Sequence, residues 1–210
     1  DILKEYKFTP LIIENIDKND SASLDIDKND SAFLDNVLSY IESGLPLIGF
    51  LEPIKHAISI IGHGVIDYNL LNNEDFLLKN VDPELDIISH GRLIKDLYVM
   101  DDNIFPYQKM SVTLPTQSYS IDYNFNELKY IVVPLYRRMQ LTYDDVYARF
   151  YVWRKCNVMN WERPCVSRIY ITASTSLKQK ALECSDMNEV LKEIIITLPL
   201  PKFVWCIDLS

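Results

Sequence analysis

The stretch HAISIIGHGVI, residues 56–66, decides how the fold is interpreted. It is rich in β-branched isoleucine, and a glycine stands on each side of His63, a composition typical of a strand. The preceding stretch LPLIGFL, residues 45–51, is also apolar and predicts a second strand. Two such strands so close in sequence indicate that a central β-sheet begins here.

A helix is predicted immediately before these strands. Its apolar residues recur at helical spacing and would form one buried face, namely Phe33, Leu34, Val37, Leu38 and Ile41. Ser31 or Asp30 is the expected N-cap, and Gly44 is the expected stop signal. The sequence therefore predicts a one-sided helix that leads into the first strand.

A tandem repeat overlaps the beginning of this region. Residues 16–25, IDKNDSASLD, recur as residues 26–35, IDKNDSAFLD, and the two copies differ only where Ser23 is replaced by Phe33. The repeat resembles the start of a calcium loop, but Ala22 stands where such a loop needs glycine, and no glutamate closes it. We therefore expect a polar surface loop.

The rest of the chain alternates between strands and helices. Thr142 and Asp145 resemble a capping box that opens a helix with Val146, Phe150 and Trp153 facing inward. Further strands are predicted at 97–100, 109–114, 127–136, 168–172 and 203–209, further helices at 174–183 and 188–195, and a polar excursion with short helices at 67–96. This order predicts an α+β or mixed α/β architecture.

The chain is acidic. Its 210 residues include 30 Asp and Glu against 21 Lys and Arg, which gives a formal net charge of -9. Excess carboxylates repel phosphate backbones, so nucleic acid is not an expected partner. No stretch reaches the roughly 20 apolar residues that cross a bilayer, and the beginning DILKEYKFTP lacks the order of a secretory signal. We therefore expect a cytoplasmic protein without a membrane partner.

All cysteines lie in the last third of the chain, at Cys156, Cys165, Cys184 and Cys206. Their wide and irregular spacing does not fit a zinc knuckle. Reduced cysteine commonly packs as a small apolar residue, so we expect buried free thiols.

Neither a metal nor a cofactor is expected. His63 lies seven residues beyond His56 on the same predicted strand and would face the opposite side, so the two are not expected to share a metal. His90 has no stronger claim. The chain also lacks the GxGxxG, P-loop and HExxH motifs of dinucleotide, nucleoside triphosphate and zinc-peptidase sites.

Three stretches, taken in order, carry a resemblance to a known family: YIESGLPLIGF at 40–50, KHAISIIGHG at 55–64 and LYVMDDN at 97–103. Their order resembles that of the papain-like bacteriocin-processing peptidases and their bacterial relatives, in which a Gly-Pro-type strand precedes a catalytic His and a later strand ends at a catalytic Asp. The resemblance covers residues 37–107, about a third of the chain. It implies a papain-like fold and hydrolysis of a peptide or amide.

On this resemblance His56 is the general base and Asp101 orients its ring, with Asp102 or Asn103 as substitutes if the register differs by one residue. The 45-residue separation of His56 and Asp101 is longer than usual, which an insertion at 67–96 would explain. Another interpretation stays open, in which His56 is a hydrogen-bonded structural residue and the paired aspartates cap backbone amides.

The nucleophile of such a site is not evident in the sequence. The family has its cysteine near the start of a helix well before the catalytic His, and no cysteine precedes His56. Serines do precede it, but none lies on the family's pattern: Ser21, Ser31, Ser39 and Ser43. The thiol then lies before Asp1 or has been removed, or the protein is a non-catalytic relative that binds proteins. A third alternative is an unrelated structural α/β protein in which His56 and Asp101 are incidental.

These observations predict an α+β protein with a papain-like mixed sheet, flanking helices and a C-terminal α/β extension. Residues 1–35 would form a polar N-terminal segment, residues 36–116 the papain-like half, and residues 117–210 a C-terminal portion packed as one unit with it. The expected partner or substrate is a peptide or protein, and the oligomeric state is left open.

Overall fold

A computed structural model describes residues 8–15, 26–52, 54–112, 121–137, 139, 141–157 and 164–210, with the side chains of the first helix described from residue 32 onward. Within these residues the chain forms five α-helices and two β-sheets. The architecture is therefore α+β. No helix in this part of the chain is both long enough and apolar enough to span a membrane.

The helices are α1 (Ile26–Glu42), α2 (Glu74–Asn80), α3 (Tyr143–Cys156), α4 (Ser174–Glu183) and α5 (Glu189–Thr197). The strands are β1 (Phe8–Glu14), β2 (Leu47–Leu51), β3 (His56–His63), β4 (Val81–Asp82), β5 (Ile87–Ser89), β6 (Asp96–Met100), β7 (Gln108–Ser111), β8 (Leu128–Tyr136), β9 (Cys165–Ala173) and β10 (Phe203–Leu209). Short 3-10 helices cover Tyr68–Asn72, His90–Leu93 and Phe125–Glu127.

The larger sheet has six strands in the order β1-β8-β2-β3-β6-β7, and every neighbouring pair is antiparallel. The two strands predicted around residues 45–66 pair directly, with Leu47 opposite Ile60 and Leu51 opposite His56. β8 lies between β1 and β2. The sheet thus contains strands from all three of the predicted segments of the chain.

The smaller sheet has four strands in the order β10-β9-β5-β4. β5 runs parallel to β9, and the other two pairs are antiparallel. β4 and β5 belong to the stretch that sequence analysis assigned to a polar excursion with short helices. That stretch does contain α2 and two 3-10 helices, but its strands have only two and three residues and were not predicted.

Helix α1 contacts β2 and β3 of the larger sheet and β9 of the smaller sheet. Its side chains are buried almost without interruption from Phe33 to Ile41, including Tyr40 at 0% exposure. Because strands of both sheets cover α1, the helix buries more than one stripe of its surface. The helix that was predicted to bury one face is therefore a central helix.

The beginning of α1 differs from the prediction. The helix starts at Ile26, so Ser31 and Asp30 lie inside it and are not its N-cap. The second copy of the repeat, residues 26–35, is therefore helical and not a surface loop. The first copy, residues 16–25, lies outside the described residues.

The end of α1 is the predicted one. Gly44 adopts a φ of 74° and donates from its backbone N–H to the carbonyl of Ile41 at 2.9 Å, while Leu45 donates to Tyr40 at 3.0 Å. This pair of bonds is a Schellman motif, which needs a left-handed residue that glycine adopts without strain. The chain then turns directly into β2.

Helix α3 begins at the predicted capping box. The Thr142 side chain accepts from the backbone N–H of Asp145, whose carboxylate accepts from the backbone N–H of Thr142 at 2.9 Å. Val146 and Phe150 are buried as predicted, but Trp153 is 44% exposed, so its predicted inward direction was wrong. Trp153 instead stacks near Phe150 at the surface, with ring centroids 6.1 Å apart.

Candidate functional site

Antiparallel pairing brings His56 and Asp101 together at the edge of the larger sheet where β3 begins and β6 ends. His56 is the first residue of β3, and Asp101 follows the last residue of β6, which pairs with β3 through Ser59 and Met100. His56 Nε2 lies 2.8 Å from Asp101 Oδ1. The contact expected from sequence between these two side chains is therefore present.

Asp101 is buried, with 8% of its surface exposed, and is held from three sides. Besides His56, the Tyr123 hydroxyl donates to Oδ2 at 2.9 Å, and the backbone N–H of Asn103 donates to Oδ1 at 2.9 Å. Burial acts to raise the pKa of Asp101, but these hydrogen bonds outweigh it and lower the pKa below its usual value. Asp101 is therefore ionised at neutral pH and has a fixed orientation.

The protonation of His56 follows from this carboxylate. An ionised carboxylate can only accept hydrogen bonds, so the proton of a neutral His56 ring lies on Nε2, and Nδ1 has a lone pair. The His56 side chain is 22% exposed, and among the described residues no partner contacts Nδ1. Nδ1 therefore has no described partner, an arrangement that a general base needs.

Asp102 and Asn103, the substitutes named for Asp101, lie beside the same nitrogen. Asp102 Oδ1 is 3.5 Å from His56 Nε2, but the Asp102 side chain is 86% exposed. The Asn103 side-chain amide nitrogen lies 3.2 Å from His56 Nε2, but an amide nitrogen only donates, so it does not bond to Nε2 while that nitrogen donates to Asp101. Asp101 is thus the closest and the most buried partner, which fits the first of the predicted registers.

His56, Asp101 and Asp102 form a group whose ligand atoms lie within 4.8 Å of one another and could hold a metal ion. No metal was predicted here. Both oxygens of Asp101 already accept hydrogen bonds from Tyr123, His56 and Asn103, so a cation would have to replace the His56 contact. The arrangement therefore suits a His–Asp pair better than a metal centre.

Two of the serines considered as nucleophiles have structural partners in α1 and beyond it. Ser39 is 2% exposed and donates to the carbonyl of Asn36 at 2.7 Å. Ser43 donates to the carbonyl of Ser39 and accepts from the backbone N–H of Ile171 at 2.7 Å. Ser21 and the side chain of Ser31 lie outside the described residues. Neither described serine is available to His56.

The four cysteines lie away from this edge. Cys165 and Cys206 are in β9 and β10 of the smaller sheet, and both are half-buried. Burial raises the pKa of both thiols, so neither is activated as a thiolate. Cys156 and Cys184 are exposed, which contradicts their predicted burial, although all four are free thiols as predicted.

The opposite end of β3 contains a second histidine, His63, in an ionic network. Its Nε2 lies 2.7 Å from Glu42 Oε1, and its Nδ1 lies 2.7 Å from the carbonyl of Gly64. With an acceptor at each nitrogen, the ring is stabilised as a cation, and the hydrogen bond to Glu42 raises the pKa of His63.

Glu42 is the centre of this network. Its side chain is 7% exposed and also accepts a hydrogen bond from Arg168, while His90 Nδ1 lies 3.6 Å away. Burial acts to raise the pKa of Glu42, but hydrogen bonds from His63 and Arg168 outweigh it and lower the pKa to about 2. His63 and Glu42 are therefore a structural ion pair.

Three residues of these two sites were not predicted from the sequence: Tyr123, Glu42 and Arg168. Tyr123 contacts Asp101 across 22 residues, and Arg168 contacts Glu42 across 126 residues. No periodicity or short motif encodes contacts of this separation. The sequence offered one indication of such contacts, namely that acids buried in the fold need donors as partners.

Comparisons with protein-family models, with curated proteins and with solved structures found no match for this chain. The fold and the His–Asp pair therefore stand on the geometry described above.

Proposed function

We propose that this protein is a papain-like hydrolase domain that cleaves a peptide or amide bond, with His56 as general base and Asp101 as the residue that orients it. The observation that carries the proposal is the 2.8 Å contact between His56 Nε2 and the buried Asp101 carboxylate, which leaves Nδ1 open. A structural histidine would ordinarily satisfy both ring nitrogens, as His63 does.

In the proposed reaction His56 Nδ1 accepts a proton from the nucleophile, which attacks the carbonyl carbon. The imidazolium that forms is stabilised by Asp101, and it then returns the proton to the departing amine nitrogen. Tyr123 keeps the carboxylate in place because its hydroxyl donates to the oxygen that does not contact His56. The nucleophile is the component that the described residues do not supply.

The proposed partner is a peptide or protein chain, and the proposed compartment is the cytoplasm. Support for the compartment comes from the four free thiols, two of them exposed, which suit a reducing environment. Support for a polypeptide substrate comes from the partial exposure of His56 at the start of β3 and from the exposed aromatic residues Phe105 and Tyr107, which follow Asp101 closely in sequence.

The test is hydrolysis of a mixed peptide library by the purified protein, read by mass spectrometry. We expect cleavage that falls by about 10³-fold or more in His56→Gln and in Asp101→Asn, because both variants remove the oriented base. Asp75→Asn, an exposed carboxylate on α2, is the matched control and should cleave normally. Cleavage that survives in His56→Gln would exclude this residue as the base.

A second candidate is a non-catalytic papain-like module that binds peptides. It is favoured by the absence of cysteine from α1, from the strands of the larger sheet and from the described surroundings of His56. If the wild-type protein cleaves nothing, the same library immobilised as an array distinguishes the two. A binding module should retain peptides in the wild type and lose them in His56→Gln.

A further inference from the structure

A cavity of about 540 Å³ lies between α1, residues 79–92, α3 and β9. Glu42 lines it, and Glu42 contacts His63 at the end of β3 that is opposite His56. A strand rises about 3.3 Å per residue, so the two ends of β3 are roughly 23 Å apart. The cavity is therefore separate from the His–Asp pair, and its role is independent of the proposed hydrolase function.

One wall of the cavity is aromatic. Tyr143 and Tyr147 of α3 line it as a stacked pair with ring centroids 5.9 Å apart, and Phe150 of the same helix lies beside them. Aromatic faces carry partial negative charge and attract cations as well as apolar groups. A volume of this size with one aromatic wall is within the range of small-molecule sites.

Other residues that line the cavity present hydrogen-bond acceptors. The His90 side chain is 6% exposed, and its Nδ1 lies 3.6 Å from Glu42 Oε1. Its Nε2 is buried and has no hydrogen-bond partner among the described residues. The proton of a neutral His90 belongs on Nδ1, towards the carboxylate, so Nε2 offers a buried lone pair and needs a donor. Burial lowers the pKa of His90 to about 4, which keeps the ring neutral.

Asp35 adds a carboxylate to the same wall. It accepts a hydrogen bond from the Ser89 hydroxyl and packs against Gly91, where a Cβ would collide with the carboxylate. Gly91 therefore allows α1 and the cavity wall to approach closely. Burial raises the pKa of Asp35 to about 6, although the hydrogen bond from Ser89 and the charge of Arg92 act in the opposite direction, and the carboxylate is still ionised above neutral pH.

The cations that line the cavity are placed differently. Arg168 donates to Glu42 and stacks on Tyr170, with its guanidinium carbon 4.7 Å from the ring centroid. Lys79 is exposed at the end of α2, and the charge of Arg92 acts on Asp35. The three cations are outnumbered by five carboxylates in the same lining: Asp35, Glu42, Asp82, Glu84 and Asp144. The buried surface thus combines an aromatic face with acceptors that require a donor, a combination that suits an organic cation better than an anion.

We infer that this cavity binds a small primary amine with an aromatic or apolar body, its ammonium group donating to His90 Nε2 and Asp35 while its body packs on Tyr143, Tyr147 and Phe150. Nothing covalent is involved. The ammonium supplies the donor that the buried imidazole lacks, and its charge adds to that of Arg92 in balancing the excess of carboxylates.

The test compares tyramine with 4-hydroxyphenylacetate, which has the same ring but a carboxylate in place of the ammonium group. Isothermal titration calorimetry at pH 7.5 should show tyramine binding with a Kd of about 1 mM or tighter and at least about tenfold weaker binding of the carboxylate. Asp35→Asn and His90→Gln should each weaken tyramine binding by about tenfold or more, whereas Asp75→Asn should not.

Two readouts keep a folding defect apart from a binding defect. Circular dichroism and the ¹H–¹⁵N spectrum of each variant establish that it is folded, and two independent variants are used because Asp35 is part of α1 whereas His90 is not. The inference is overturned if tyramine does not bind at 10 mM, if 4-hydroxyphenylacetate binds equally well, or if both folded variants bind tyramine as the wild type does.

Discussion

The two ends of strand β3 each present a histidine beside a carboxylate, and the two pairs differ in how many ring nitrogens of the histidine have a partner. His63 has an acceptor at both nitrogens, and its carboxylate, Glu42, also binds Arg168. His56 has a carboxylate at one nitrogen and no described partner at the other. The first pair is closed and structural, whereas the second is open. Two histidines on one strand therefore differ in how many of their ring nitrogens are satisfied, because their neighbours differ.

The largest expected effect comes from removing the carboxylate of the closed pair. Glu42→Gln should lower the free energy of unfolding by roughly 2 to 3 kcal/mol, because it leaves His63 and Arg168 without their buried counter-charge. Urea denaturation at pH 7 measures the change. Glu74→Gln, an exposed glutamate at the start of α2, is the control and should change the stability little. Equal effects of the two variants would mean that the network contributes nothing.

Replacing each histidine in turn sharpens the comparison. His63→Gln should cost about 2 kcal/mol below pH 6, and His56→Gln about 0.5 kcal/mol or less, because only the first breaks a closed ion pair. The pKa of folded His63 is raised above its ordinary 6.5, so its contribution is complete below pH 6.5 and is lost as the pH rises through the raised pKa. Denaturation curves from pH 5 to pH 9 test this sign. A penalty that grows with pH would contradict it.

A smaller effect is expected from Tyr123, which donates to the carboxylate of the open pair. Tyr123→Phe removes the hydroxyl that donates to buried Asp101 and should cost about 1 kcal/mol. The more specific readout is the ¹⁵N spectrum of the His56 ring, in which the wild type should show the proton on Nε2. The variant should show a mixture of tautomers, because the carboxylate is no longer fixed. An unchanged tautomer would mean that Tyr123 does not position Asp101.

The smallest effect is expected at Asp102. Its side chain is 86% exposed and 3.5 Å from His56, so Asp102→Asn should change stability by less than about 0.5 kcal/mol. The same ¹⁵N spectrum should be unaffected in Asp102→Asn and altered in Asp101→Asn. The reverse result would identify Asp102 as the partner of His56 and move the register by one residue.

The His56–Asp101 contact was predicted from the resemblance to the papain-like peptidases, and the structure allows it because both residues lie at strand ends. Long apolar strands such as β3 and β8 are visible as runs of β-branched residues, and antiparallel neighbours bring their ends together. The start of α1 was not predicted, because Ile26–Ala32 contains no apolar stripe and is helical through its continuity with the buried turns that follow. β4 and β5 were missed because two or three residues carry no periodicity.

The side chains that complete each site were also beyond sequence reasoning. Tertiary packing brings three side chains to these sites: Tyr123 to Asp101, Arg168 to Glu42 and His90 to the cavity. Such contacts depend on tertiary packing across tens of residues. A partly buried acid in a predicted helix, such as Asp35, indicates that a partner or a ligand exists, but it does not identify that partner.

The place of β8 between β1 and β2 has a consequence for synthesis on the ribosome. β1 forms its ladder with β8 alone, from Phe8 opposite Tyr136 to Glu14 opposite Tyr130. At about 5 to 20 residues per second, the ribosome needs roughly 6 to 23 s to add the residues that separate the two strands. During that interval the apolar residues of β1 have no partner, while β2 and β3 can already pair. We expect nascent chains arrested before residue 128 to expose β1 to chaperones, and chains released after residue 136 to withdraw it.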